Sequence, residues 1–572
     1  MDAARVTAVL GVSALYHDAA AALVVDGQVI AAVQEERLSR IKNDASIPTR
    51  AISACLRIAG LRASDLDGAV FYENPYAKLE RVMVGLLRVF PRSYGVFPQA
   101  MGAQIGSKVW VLDGIAEATG IAREKVSHVS HHESHAASAF FASPYERAAV
   151  LTADGVGEEE TTTLWLGEGK TLRQLGSLTF PHSLGLLYAA LTAWLGFAVN
   201  EGESKVMGLA AYGEPHFRKQ FDELLQIRAD GSFTLGRKYF ALLEDTEVGF
   251  SFALEKLLGP RRSQRQSWDL TTAADQRYAN VAATLQAVTE DALLALAREA
   301  RRRTDADALC LAGGVALNCV ANARLAREAG FARVFVQPAA GDAGGALGAA
   351  MLGALARGAP RTAPMRSSAL GGDVEVARFA EVAAALGVET LCVADPARAA
   401  AERIAKGQVV AWCEGRAEWG PRALGQRSLL ARPDDVALRE RLNRLVKRRE
   451  PFRPFAPSVL ASRTAALFGL GADDMTPFMT TVRSVRPDAR ATLAGVTHVD
   501  GTARLQTVAD GSGAYAALLA AVGEATGEPV VLDTSLNGAG EPIVDGPEDA
   551  LAFLLAHPID ALIYGDLVCE RP

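Results

Sequence analysis

The strongest constraint on the fold is a strand–loop–strand hairpin that occurs twice in the N-terminal part of the chain. In the first copy, "RVTAVLGVS" leads through the loop "ALYHD" to "AAAALVV", and a turn at Asp26-Gly27 is followed by "QVIAAVQEE". In the second copy, "RAAVLTA" leads through a loop at Asp154-Gly155 to another strand and a turn at "GEGK". Helical segments follow both copies. The repetition predicts a duplicated α/β unit.

This plan resembles that of the actin and sugar-kinase superfamily, in which two α/β halves face each other and their hairpin loops surround phosphate groups. Strand–turn–strand patterns are common, so the hairpins by themselves indicate only an α/β fold. The long amphipathic segment that begins near Asp275 and the helical segment "PTRAISACLRIAGL" agree with that class.

The chain of 572 residues is too long for one hydrophobic core, so two or three domains are expected. The segment 357–373, "RGAPRTAPMRSSALGGD", is rich in Pro, Ser, Gly and Ala and predicts a linker. It separates a domain at 1–356 from a domain at 374–572, which has strand-like segments of its own. The polar, weakly patterned region 215–275 predicts an insertion in the first domain.

Charge and cysteine content argue against several classes of protein. The net charge of −7 creates no overall basic field that would attract nucleic acid or a membrane. The six cysteines are scattered without a C-x-x-C pair, which is typical of reduced thiols. The longest apolar run, 183–199, contains glycines and lacks basic flanks, so it predicts a buried helix. Because no secretion signal is visible, we expect a cytoplasmic protein without nucleic-acid or membrane partners.

Four of the nine histidines lie within eight positions, as His128, His131, His132 and His135. His131 and His135 are spaced i, i+4, so on a helix both rings project from one face. Two imidazoles one turn apart suit a first-row metal, whose ligands lie about 2 Å away. Asp154 and Asp342, each beside glycine at the end of a strand-like segment, are the candidates for completing the site.

The zinc-protease pattern H-E-x-x-H is absent, because Glu133 stands one residue too late relative to His131. Histidines can also cap and satisfy a helix without binding any metal. The number of histidines and the spacing of two of them favour a metal site over this alternative.

Two glycine-rich turns, "GGVALN" at 313–318 and "GDAGGALGAA" at 341–350, stand where a strand gives way to a helix. Backbone N–H groups at such a helix start can bind phosphate oxygens, although either turn can equally serve close packing. In "ESKVMGLAAYG", Lys205 lies near Gly208 and Gly213 and either reaches a phosphate or is solvated.

Basic residues are concentrated in loops of the second domain: Arg416, Arg422, Arg427, Lys447, Arg448, Arg449, Arg453 and Arg504. Arginine forks match phosphate geometry, so their convergence would suit a polyphosphate or a mixed anhydride. The segment "DTSLN" at 533–537 ends a strand with hydroxyl and amide groups. A basic surface patch is the alternative interpretation.

Twelve motifs, in order over nearly the whole chain, resemble the ATP-dependent O-carbamoyltransferases, which include nodulation-factor and antibiotic- or toxin-tailoring enzymes. They are "YHDAAAALV", "QEERLSR", "HHESHAAS", "ADGVGE", "SLGLLYAALTAWLGF", "KVMGLAAYG", "GGVALN", "GDAGGALGAA", "GRAEWGPRALGQRS", "REPFRPFAP", "HVDGTARLQTV" and "TSLNGAGEPIV". The chain departs from the family pattern at Asp533 and Leu536, where Asn and Phe are more common, and at Ala211, where Pro is common.

The resemblance implies a two-site enzyme. The N-terminal domain would resemble the actin-like protein that transfers threonylcarbamoyl groups to tRNA, and the C-terminal domain would resemble the YrdC-type fold. In the C-terminal domain, ATP and carbamoyl phosphate would give carbamoyl-adenylate and pyrophosphate. In the N-terminal domain, the carbamoyl group would move to an alcohol.

The resemblance also assigns site residues by motif. The metal, Fe²⁺ or else Zn²⁺ or Mn²⁺, would be bound by His131, His135, Asp154 and Asp342. Nucleotide, phosphate and carbamoyl contacts, with Mg²⁺ accompanying ATP, would come from Lys42, Lys205, Gly313, Gly314, Asn318, Gly344, Arg422, Lys447, Arg453, Arg504, Ser535 and Asn537. His17, in the first hairpin loop, would be the general base for the acceptor hydroxyl, or would only orient a phosphate.

The predicted function is therefore transfer of a carbamoyl group from carbamoyl phosphate, through a carbamoyl-adenylate, to the hydroxyl of a small natural product. A carbamoyl carbon is a poor electrophile, and a mixed anhydride with AMP supplies a good leaving group. The alternatives are threonylcarbamoyl transfer to tRNA, a sugar kinase, and a nucleotide-switched binding module. The acceptor stays open, and a monomer or homodimer is expected.

Overall fold

The chain divides into two structural units in the computed structural model, which describes residues 6–245 and 249–571. Unit 1 holds the residues up to 31 and residues 45–365, and unit 2 holds residues 32–44 and those from 366 onward. The division after residue 365 falls inside the segment 357–373, which forms no helix or strand beyond a single bridge. The grouping of residues 32–44 with unit 2 is a feature that the sequence did not predict.

The first twelve strands of the chain belong to unit 1, apart from the end of the third, which enters the segment 32–44. They are β1 (Ala8–Ser13), β2 (Ala20–Val25), β3 (Gln28–Gln34), β4 (Gly68–Phe71), β5 (Val126–His128), β6 (Arg147–Ala153), β7 (Glu160–Glu168), β8 (Thr171–Thr179), β9 (Leu225–Ile227), β10 (Phe233–Leu235), β11 (Ala308–Ala312) and β12 (Arg333–Val336).

The first thirteen α-helices surround these strands, except that the first lies in the segment 32–44. They are α1 (Glu35–Ser39), α2 (Thr49–Ala59), α3 (Pro75–Arg88), α4 (Phe97–Gly106), α5 (Val111–Thr119), α6 (His131–Phe140), α7 (Leu184–Trp194), α8 (Glu203–Ala210), α9 (Arg218–Leu224), α10 (Phe252–Leu258), α11 (Ala273–Thr304), α12 (Cys319–Glu328) and α13 (Asp342–Ala356).

Unit 1 contains two five-stranded sheets with the same strand order. The orders are β3-β2-β1-β4-β5 and β8-β7-β6-β11-β12. In both sheets the first strand along the chain pairs antiparallel with the second and parallel with the fourth. The predicted turns lie between β2 and β3, at Asp26-Gly27, and between β7 and β8. Both sheets therefore contain the strand hairpin that the sequence repeats, and the mixed α/β class is confirmed.

Helix α13 packs closely against both α6 and β1. A methyl group at Gly348 would lie 1.8 Å from the carbonyl oxygen of Ser134 in α6. A methyl group at Gly11, in β1, would lie 1.9 Å from the carbonyl oxygen of Ala346 in α13. These approaches are far below a van der Waals contact, so only glycine fits at the two positions. They fix the start of α13 relative to α6.

Helix α6 begins at His131 because a distant carboxylate caps it. The side chain of Ser130, the residue before the helix, makes no capping hydrogen bond. Instead, the backbone N–H of His131 donates to both carboxylate oxygens of Glu158, at 3.0 and 3.2 Å. Glu158 also accepts a hydrogen bond of 2.6 Å from the backbone N–H of Asn74, just before α3. One carboxylate thus satisfies unpaired backbone N–H groups of two segments, and its negative charge interacts favourably with the dipole of α6 at the helix N-terminus.

Several predicted helices are confirmed. The apolar run 183–199 contains α7, whose Leu187, Leu191 and Trp194 are fully buried. The long amphipathic segment forms α11. Within the described residues, no helix is both long enough and apolar enough to cross a membrane.

The predicted insertion 215–275 is ordered by a buried ion pair in the part that is described. The Arg262 guanidinium lies 3.1 Å from the Asp275 carboxylate at the start of α11, and both side chains are nearly inaccessible to solvent. The same guanidinium stacks 3.6 Å from the ring of Trp268. Breaking such a pair would leave an uncompensated buried charge, so the pair fixes this loop.

Unit 2 contains the remaining strands and helices. The strands are β13 (Leu391–Cys392), β14 (Val410–Cys413), β15 (Arg427–Ala431), β16 (Ala456–Leu460), β17 (Val482–Ser484), β18 (Thr502–Arg504), β19 (Gln506–Val508), β20 (Val530–Ser535), β21 (Ala561–Tyr564) and β22 (Leu567–Glu570). The helices are α14 (Val376–Ala385), α15 (Pro396–Ala405), α16 (Val436–Arg441), α17 (Ala461–Phe468), α18 (Ala514–Thr526) and α19 (Pro547–Ala556).

Eight of these strands form one mixed sheet in the order β13-β22-β21-β14-β15-β20-β16-β19, and β17 pairs with β18. Its two faces are covered by separate apolar clusters, one built around Leu429 and Leu532 and the other around Trp412 and Leu430. All six cysteines of the chain are free, as expected, and all but Cys392 are buried.

A carboxyl group, Asp533, lies inside this core in β20. It accepts hydrogen bonds from the hydroxyls of Tyr515, at 2.8 Å, and Ser458, at 2.9 Å. Burial raises the pKa of Asp533 to about 7, although these donors lower it in part. Because the unfolded pKa is about 3.9, the folded chain binds this proton more tightly, and stability falls as the pH rises between the two values.

We therefore predict that Asp533→Asn stabilises the protein at alkaline pH. The neutral amide oxygen accepts the same hydrogen bonds without the cost of a buried charge. The gain at pH 8 is expected to be on the order of 1 kcal/mol and to shrink toward pH 5. Unfolding of the two proteins in urea at both pH values measures it, with the exposed Asp488→Asn as the control. A gain that is independent of pH would contradict the assigned cause.

We also predict that Glu158→Ala destabilises unit 1 by about 1–2 kcal/mol, because it removes acceptors for the N–H groups that begin α6 and precede α3. Glu158→Gln keeps one acceptor oxygen and should lie between the two. Glu159→Ala, at the exposed neighbouring position, is the matched control. Urea unfolding followed by circular dichroism measures the difference, and equal midpoints for the variants at 158 and 159 would rule out the capping role.

Candidate active site

The candidate metal site of unit 1 draws on three elements. His131 and His135 lie one turn apart on α6, Asp154 follows the end of β6, and Asp342 is the first residue of α13. One ligand atom from each of the four residues lies within 4.8 Å of every other. Their side chains are 15% exposed at most. The structure therefore brings together all four residues that the sequence assigned to a metal.

The distances inside this cluster fit a coordinated ion. The Nε2 atoms of His131 and His135 lie 3.1 Å apart, and they lie 3.2 and 2.8 Å from Asp154 Oδ2. Their distances to Asp342 Oδ1 are 3.7 and 3.4 Å. Two ligands that are each about 2.1 Å from one ion lie roughly 3.0–3.4 Å apart, depending on the coordination geometry. The donor set of two imidazoles and two carboxylates suits Fe²⁺, Zn²⁺ or Mn²⁺.

The aspartates dominate the electrostatics of the cluster. Burial opposes a charge on His135, but hydrogen bonds and negative charge from Asp154 and Asp342 outweigh it and raise the His135 pKa to about 9. Burial likewise opposes the charge of Asp154, yet the two histidines hold the pKa of that carboxyl well below its usual range. The cluster therefore attracts positive charge.

The other two histidines of the sequence cluster have different surroundings. His132 is buried, with Nδ1 at 2.6 Å from the hydroxyl of Thr152 and Nε2 at 2.9 Å from the carbonyl oxygen of Glu160. Burial and the charges of the neighbouring histidines lower its pKa to about 3, so it is a neutral structural residue. His128 is half-buried, and its ring lies 6.2 Å from that of Tyr76.

His17, the candidate general base, lies near the same carboxylates. Its Nδ1 is 3.0 Å from Asp18 Oδ2, and about a quarter of its side chain is exposed. Burial lowers the pKa of His17, but the Asp18 hydrogen bond and the negative charges of Asp342 and Asp154 raise it to about 9 overall. The hydrogen bond to Nδ1 leaves Nε2 as the nitrogen that is available to another group.

The two glycine-rich turns are closely packed, and one of them lies beside the candidate metal site. Gly313, at a φ of +89°, faces the carbonyl oxygen of Ala153, so no larger residue fits there. A methyl group at Gly314 would lie 3.1 Å from Asp154 Oδ1. Gly344 packs against the carbonyl oxygen of Ala339, inside α13.

Two further residues that the sequence assigned to nucleotide contacts have structural partners. Asn318 caps α12 by accepting from the backbone N–H of Ala321 at 3.0 Å, and its side-chain amide donates to Gln286 at 2.9 Å. The Lys205 ammonium lies 5.7 Å from the centre of the Phe197 ring, at the start of α8.

The candidate anion site of unit 2 is built around a buried lysine. The Lys447 ammonium donates to the backbone carbonyl and hydroxyl oxygens of Ser535 and, at 3.0 and 2.8 Å, to the backbone and side-chain oxygens of Asn537. Burial, with the positive charges of Arg449 and Arg453, lowers the pKa of Lys447 well below its ordinary value. The predicted residues Lys447, Ser535 and Asn537 are thus in direct contact.

The arginines of unit 2 do not all have the same role. Arg449 is held by Asn443 at 2.6 Å, and burial with the charges of Arg453 and Arg504 lowers its pKa. Arg453 and Arg504 are therefore near the same cationic group, and both are half-buried. Arg427 is fully buried and donates to backbone carbonyls, so its role is structural. Arg422 is half-buried in the loop before β15.

The segment 32–44 supplies residues that hold two loops of unit 2. Arg37 donates to the carbonyl oxygen of Gly420, at 2.9 Å, two residues before Arg422. Arg40 donates to the carbonyl oxygens of Pro542 and Ile543, at 3.0 and 2.7 Å, in the loop that follows Asn537. Lys42, which the sequence assigned to cofactor binding, forms an ion pair of 2.9 Å with Glu36.

Sequence reasoning missed Glu158, Arg37 and Arg40. Glu158 is the last residue of the quoted motif "ADGVGE", and both arginines stand in "QEERLSR". The only available signal was the presence of charged residues inside motifs whose other members had been assigned. Their partners lie from 27 to more than 500 residues away, so no local spacing could identify them.

Comparison with protein families identifies two matching family models. The description "Carbamoyltransferase N-terminus" covers residues 8–351, and "Carbamoyltransferase C-terminus" covers residues 401–571. Among solved structures, ROK hexokinase from Thermus thermophilus covers 60% of this chain and 98% of its own, at 16% identity and a TM-score of 0.29.

Several curated proteins are similar over most of the chain. The protein sll1178 of Synechocystis is 40% identical over 99% of this chain and 97% of its own length. Nodulation protein NolNO of Sinorhizobium fredii is 38% identical over 97% of this chain and 79% of its own length. The 3'-hydroxymethylcephem-O-carbamoyltransferase of Amycolatopsis lactamdurans is 33% identical over 57% of this chain and 62% of its own length. The predicted resemblance and the predicted enzyme class are confirmed: the chain belongs to the carbamoyltransferase family.

Proposed function

We propose that the protein transfers a carbamoyl group from carbamoyl phosphate, through a carbamoyl-adenylate made with ATP, to the hydroxyl of a small-molecule acceptor. The observation that carries this proposal is the convergence of His131, His135, Asp154 and Asp342 in a carbamoyltransferase. The separate cationic site around Lys447 supports a second chemical step in unit 2. An oxygen acceptor is supported by the relatives that are named O-carbamoyltransferases.

Unit 2 is proposed to form the carbamoyl-adenylate. Lys447, Arg449, Arg453 and Arg504 place several positive charges together, and burial, with the charges of these neighbours, lowers the pKa values of Lys447 and Arg449. A polyphosphate would neutralise these positive charges, and arginine guanidinium groups bind phosphate in bidentate geometry. Ser535 and Asn537 would orient the carbamoyl group, because their oxygens already converge on Lys447.

The overall reaction consists of three successive bond exchanges. Water cleaves carbamoyl phosphate to carbamate and phosphate, and a carbamate oxygen attacks the α-phosphorus of ATP. The bond between the α-phosphorus and the bridging oxygen breaks, and pyrophosphate leaves. An acceptor alcohol then attacks the carbamoyl carbon, AMP leaves, and the alcohol proton is transferred to a base. One carbamate ester, AMP, pyrophosphate and phosphate result.

Unit 1 is proposed to perform the transfer to the alcohol. The four residues of the metal site fit Fe²⁺, Zn²⁺ or Mn²⁺ by donor type, burial and spacing. A divalent cation bound there would supply Lewis-acid polarisation of the mixed anhydride and neutralise charge on its phosphate. The Gly313 N–H donates to the carbonyl oxygen of Ala340 at 2.8 Å, so in this turn, which borders Asp154, the Gly314 N–H would be the donor to the same phosphate.

His17 is proposed to take the proton from the acceptor alcohol through Nε2. Asp18 fixes the ring from the other nitrogen, which is the arrangement that general-base histidines require. The negative charges of Asp154 and Asp342 raise its pKa, and a cation between them would offset that effect. Proton transfer at this position needs the neutral imidazole.

We also propose a fold family for each unit, the nucleotide contacts, and the location and oligomeric state of the enzyme. The repeated strand order supports an actin-like unit 1, and the mixed sheet of unit 2 is compatible with a YrdC-like domain. ATP would be bound with Mg²⁺. Lys205, Asn318, Gly344 and Arg422 are retained as nucleotide or phosphate contacts on motif grounds, and Lys42 is retained as a neighbour of the motif "QEERLSR". We further propose a cytoplasmic monomer or homodimer, without nucleic-acid or membrane partners.

The rival functions lack a specific supporting observation. Family membership favours carbamoyl transfer over a sugar kinase or a nucleotide-switched binding module. The net charge of −7 argues against tRNA as the acceptor, because phosphate-rich RNA is attracted by positive fields.

The products of ATP test the proposal directly. With carbamoyl phosphate and a panel of alcohols, α-labelled ATP should yield AMP, and pyrophosphate and a carbamoylated alcohol should appear. Lys447→Met should lower the rate of AMP formation by about 10²–10³-fold, because it removes a fixed charge from the site of developing negative charge.

The control is Lys406→Met, which changes an exposed lysine of unit 2 at the end of α15. Its rate should equal that of the wild type. Formation of ADP in place of AMP, or an unaltered rate in the Lys447 variant, would refute the proposed adenylation.

The proposed base predicts a distinct pH dependence. The neutral fraction of His17 grows as the pH rises through its pKa, which a cation in the metal site would move from about 9 toward the ordinary value of 6.5, so the transfer rate should rise with pH between 6.5 and 9. His17→Asn should lower the rate by about 10²–10⁴-fold and flatten this profile. The readout is the rate of carbamoyl-alcohol formation in a pH series, with pyrophosphate release measured in parallel.

His216→Asn is the matched control, since His216 is exposed at the surface of unit 1. It should leave both the rate and the profile unaltered. A His17 variant with the rising pH profile of the wild type would show that another group takes the proton.

A further inference from the structure

Three cations meet beside the first hairpin loop of unit 1. The Lys78 and Lys108 ammonium groups lie 5.6 and 6.0 Å from the centre of the Tyr16 ring, next to His17. Arg81, one turn after Lys78 on α3, packs its guanidinium 5.6 Å from the ring of Phe180. The two lysines come from separate elements, and therefore their approach to one ring is a product of the tertiary fold.

The negative charge around these cations is incomplete. Lys78 is satisfied, because its ammonium lies 2.7 Å from both carboxylate oxygens of Glu73. Arg81 Nε is buried and finds no hydrogen-bond partner among the described residues. The Lys108 ammonium makes no hydrogen bond or ion pair within the described part of the chain, and its contact is with the Tyr16 ring. Among the described residues, Lys108 and Arg81 thus have no ion-pair partner, although Glu73 and Glu158 lie near enough to raise the pKa of Arg81 in part.

The lowered pKa of Lys108 is consistent with the lack of an ion-pair partner among the described residues. Burial and the positive charges of Lys78 and Arg81 together lower its pKa to about 8, and Glu73 compensates in part. An unpaired ammonium in such surroundings is costly, and an anion beside it would reverse the cost. Lys108 is therefore a charge that the fold alone does not stabilise.

The cluster lies next to the metal site. Burial and the negative charges of both metal-site aspartates, Asp342 and Asp154, raise the pKa of Tyr16. Glu73, the partner of Lys78, lies 4.0 Å from Nδ1 of His131. Tyr16 itself is 43% exposed, so its ring is open to a bound molecule. A molecule that presents a hydroxyl to His17 would therefore have its neighbouring groups beside these cations.

We propose that Lys108 and Arg81, supported by Lys78, form a subsite for an anionic group of the acceptor, a carboxylate or a phosphate monoester. The proposal rests on the proposed function, since it names the class of alcohol that unit 1 carbamoylates. An acceptor of this class carries its hydroxyl at one end and one negative charge a few bonds away. A cationic acceptor would be repelled.

The phosphate of the carbamoyl-adenylate is the other possible source of negative charge. The two sources can be distinguished, because the carbamoyl-adenylate is the same molecule with every alcohol, whereas the acceptor changes. If the cations bind the acceptor, their removal changes the ratio between charged and neutral alcohols. If they bind the donor, their removal lowers the rates with all alcohols equally.

The experiment uses the full chain and three probes that differ in one group: 3-(hydroxymethyl)benzoate, 3-(hydroxymethyl)benzamide and 3-(hydroxymethyl)benzylamine. Binding of each is measured by ligand-detected NMR titration without ATP, so the result stands whether or not adenylate formation is observed. Carbamoyl transfer to each is then measured with ATP and carbamoyl phosphate. The variants are Lys108→Met and Arg81→Met, and Arg88→Met, on the exposed end of α3, is the control.

The wild type and the Arg88 variant are expected to bind the benzoate at least tenfold more tightly than the benzamide, with the benzylamine weakest. In the Lys108 and Arg81 variants, this preference should fall to within about twofold. Equal binding of the three probes by the wild type, or an unaltered preference in both variants, would overturn the proposal. A uniform loss of transfer to every alcohol, with no change in preference, would assign the cations to the donor and overturn it as well.

Discussion

The close packing of α13 on α6 and β1 is the constraint on which the rest of unit 1 depends. Gly348 and Gly11 permit backbone contacts that no side chain allows, and they place the first residue of α13, Asp342, opposite the histidines of α6. Glu158 fixes the start of α6 from a separate loop. The four candidate metal ligands therefore converge because of backbone geometry, and the ligand side chains need little freedom of their own. Such preorganisation is what a metal site requires for affinity.

Both units keep charged groups where burial opposes them. Lys447 and Arg449 in unit 2 have lowered pKa values, and Lys108 in unit 1 has one near 8, each chiefly because of burial. Asp533 is the acidic counterpart: burial raises the pKa of its carboxyl group to about 7. The basic groups are those that an anionic substrate would stabilise, whereas Asp533 is tied to a core hydroxyl network. The proposed function would account for the cost of burying the basic groups, whereas the hydrogen bonds of Asp533 give it a role in the core alone.

Much of the fold and of the metal site follows from local sequence. The hairpins, α7 and α11 are predicted by periodicity, and the i, i+4 spacing predicts that His131 and His135 share a helix face. Asp154 and Asp342 were identified because strand ends with adjacent glycines are typical of ligand contacts. The grouping of residues 32–44 with unit 2, the Glu158 cap and the cations beside Tyr16 depend on partners that are distant in sequence. Such contacts leave no periodic signal, and motif matching can mark their residues without assigning a role.

The most direct test of the account is the metal dependence of the two half-reactions. Metal content per chain is measured by mass spectrometry for the wild type and for His135→Ala, and both proteins are then assayed after chelation, dialysis and return of Mg²⁺. The account predicts one transition-metal ion per wild-type chain, little in the variant, and loss of carbamoyl-alcohol formation while pyrophosphate release continues. A wild-type protein that is free of transition metal and still transfers carbamoyl groups at full rate would contradict the central claim.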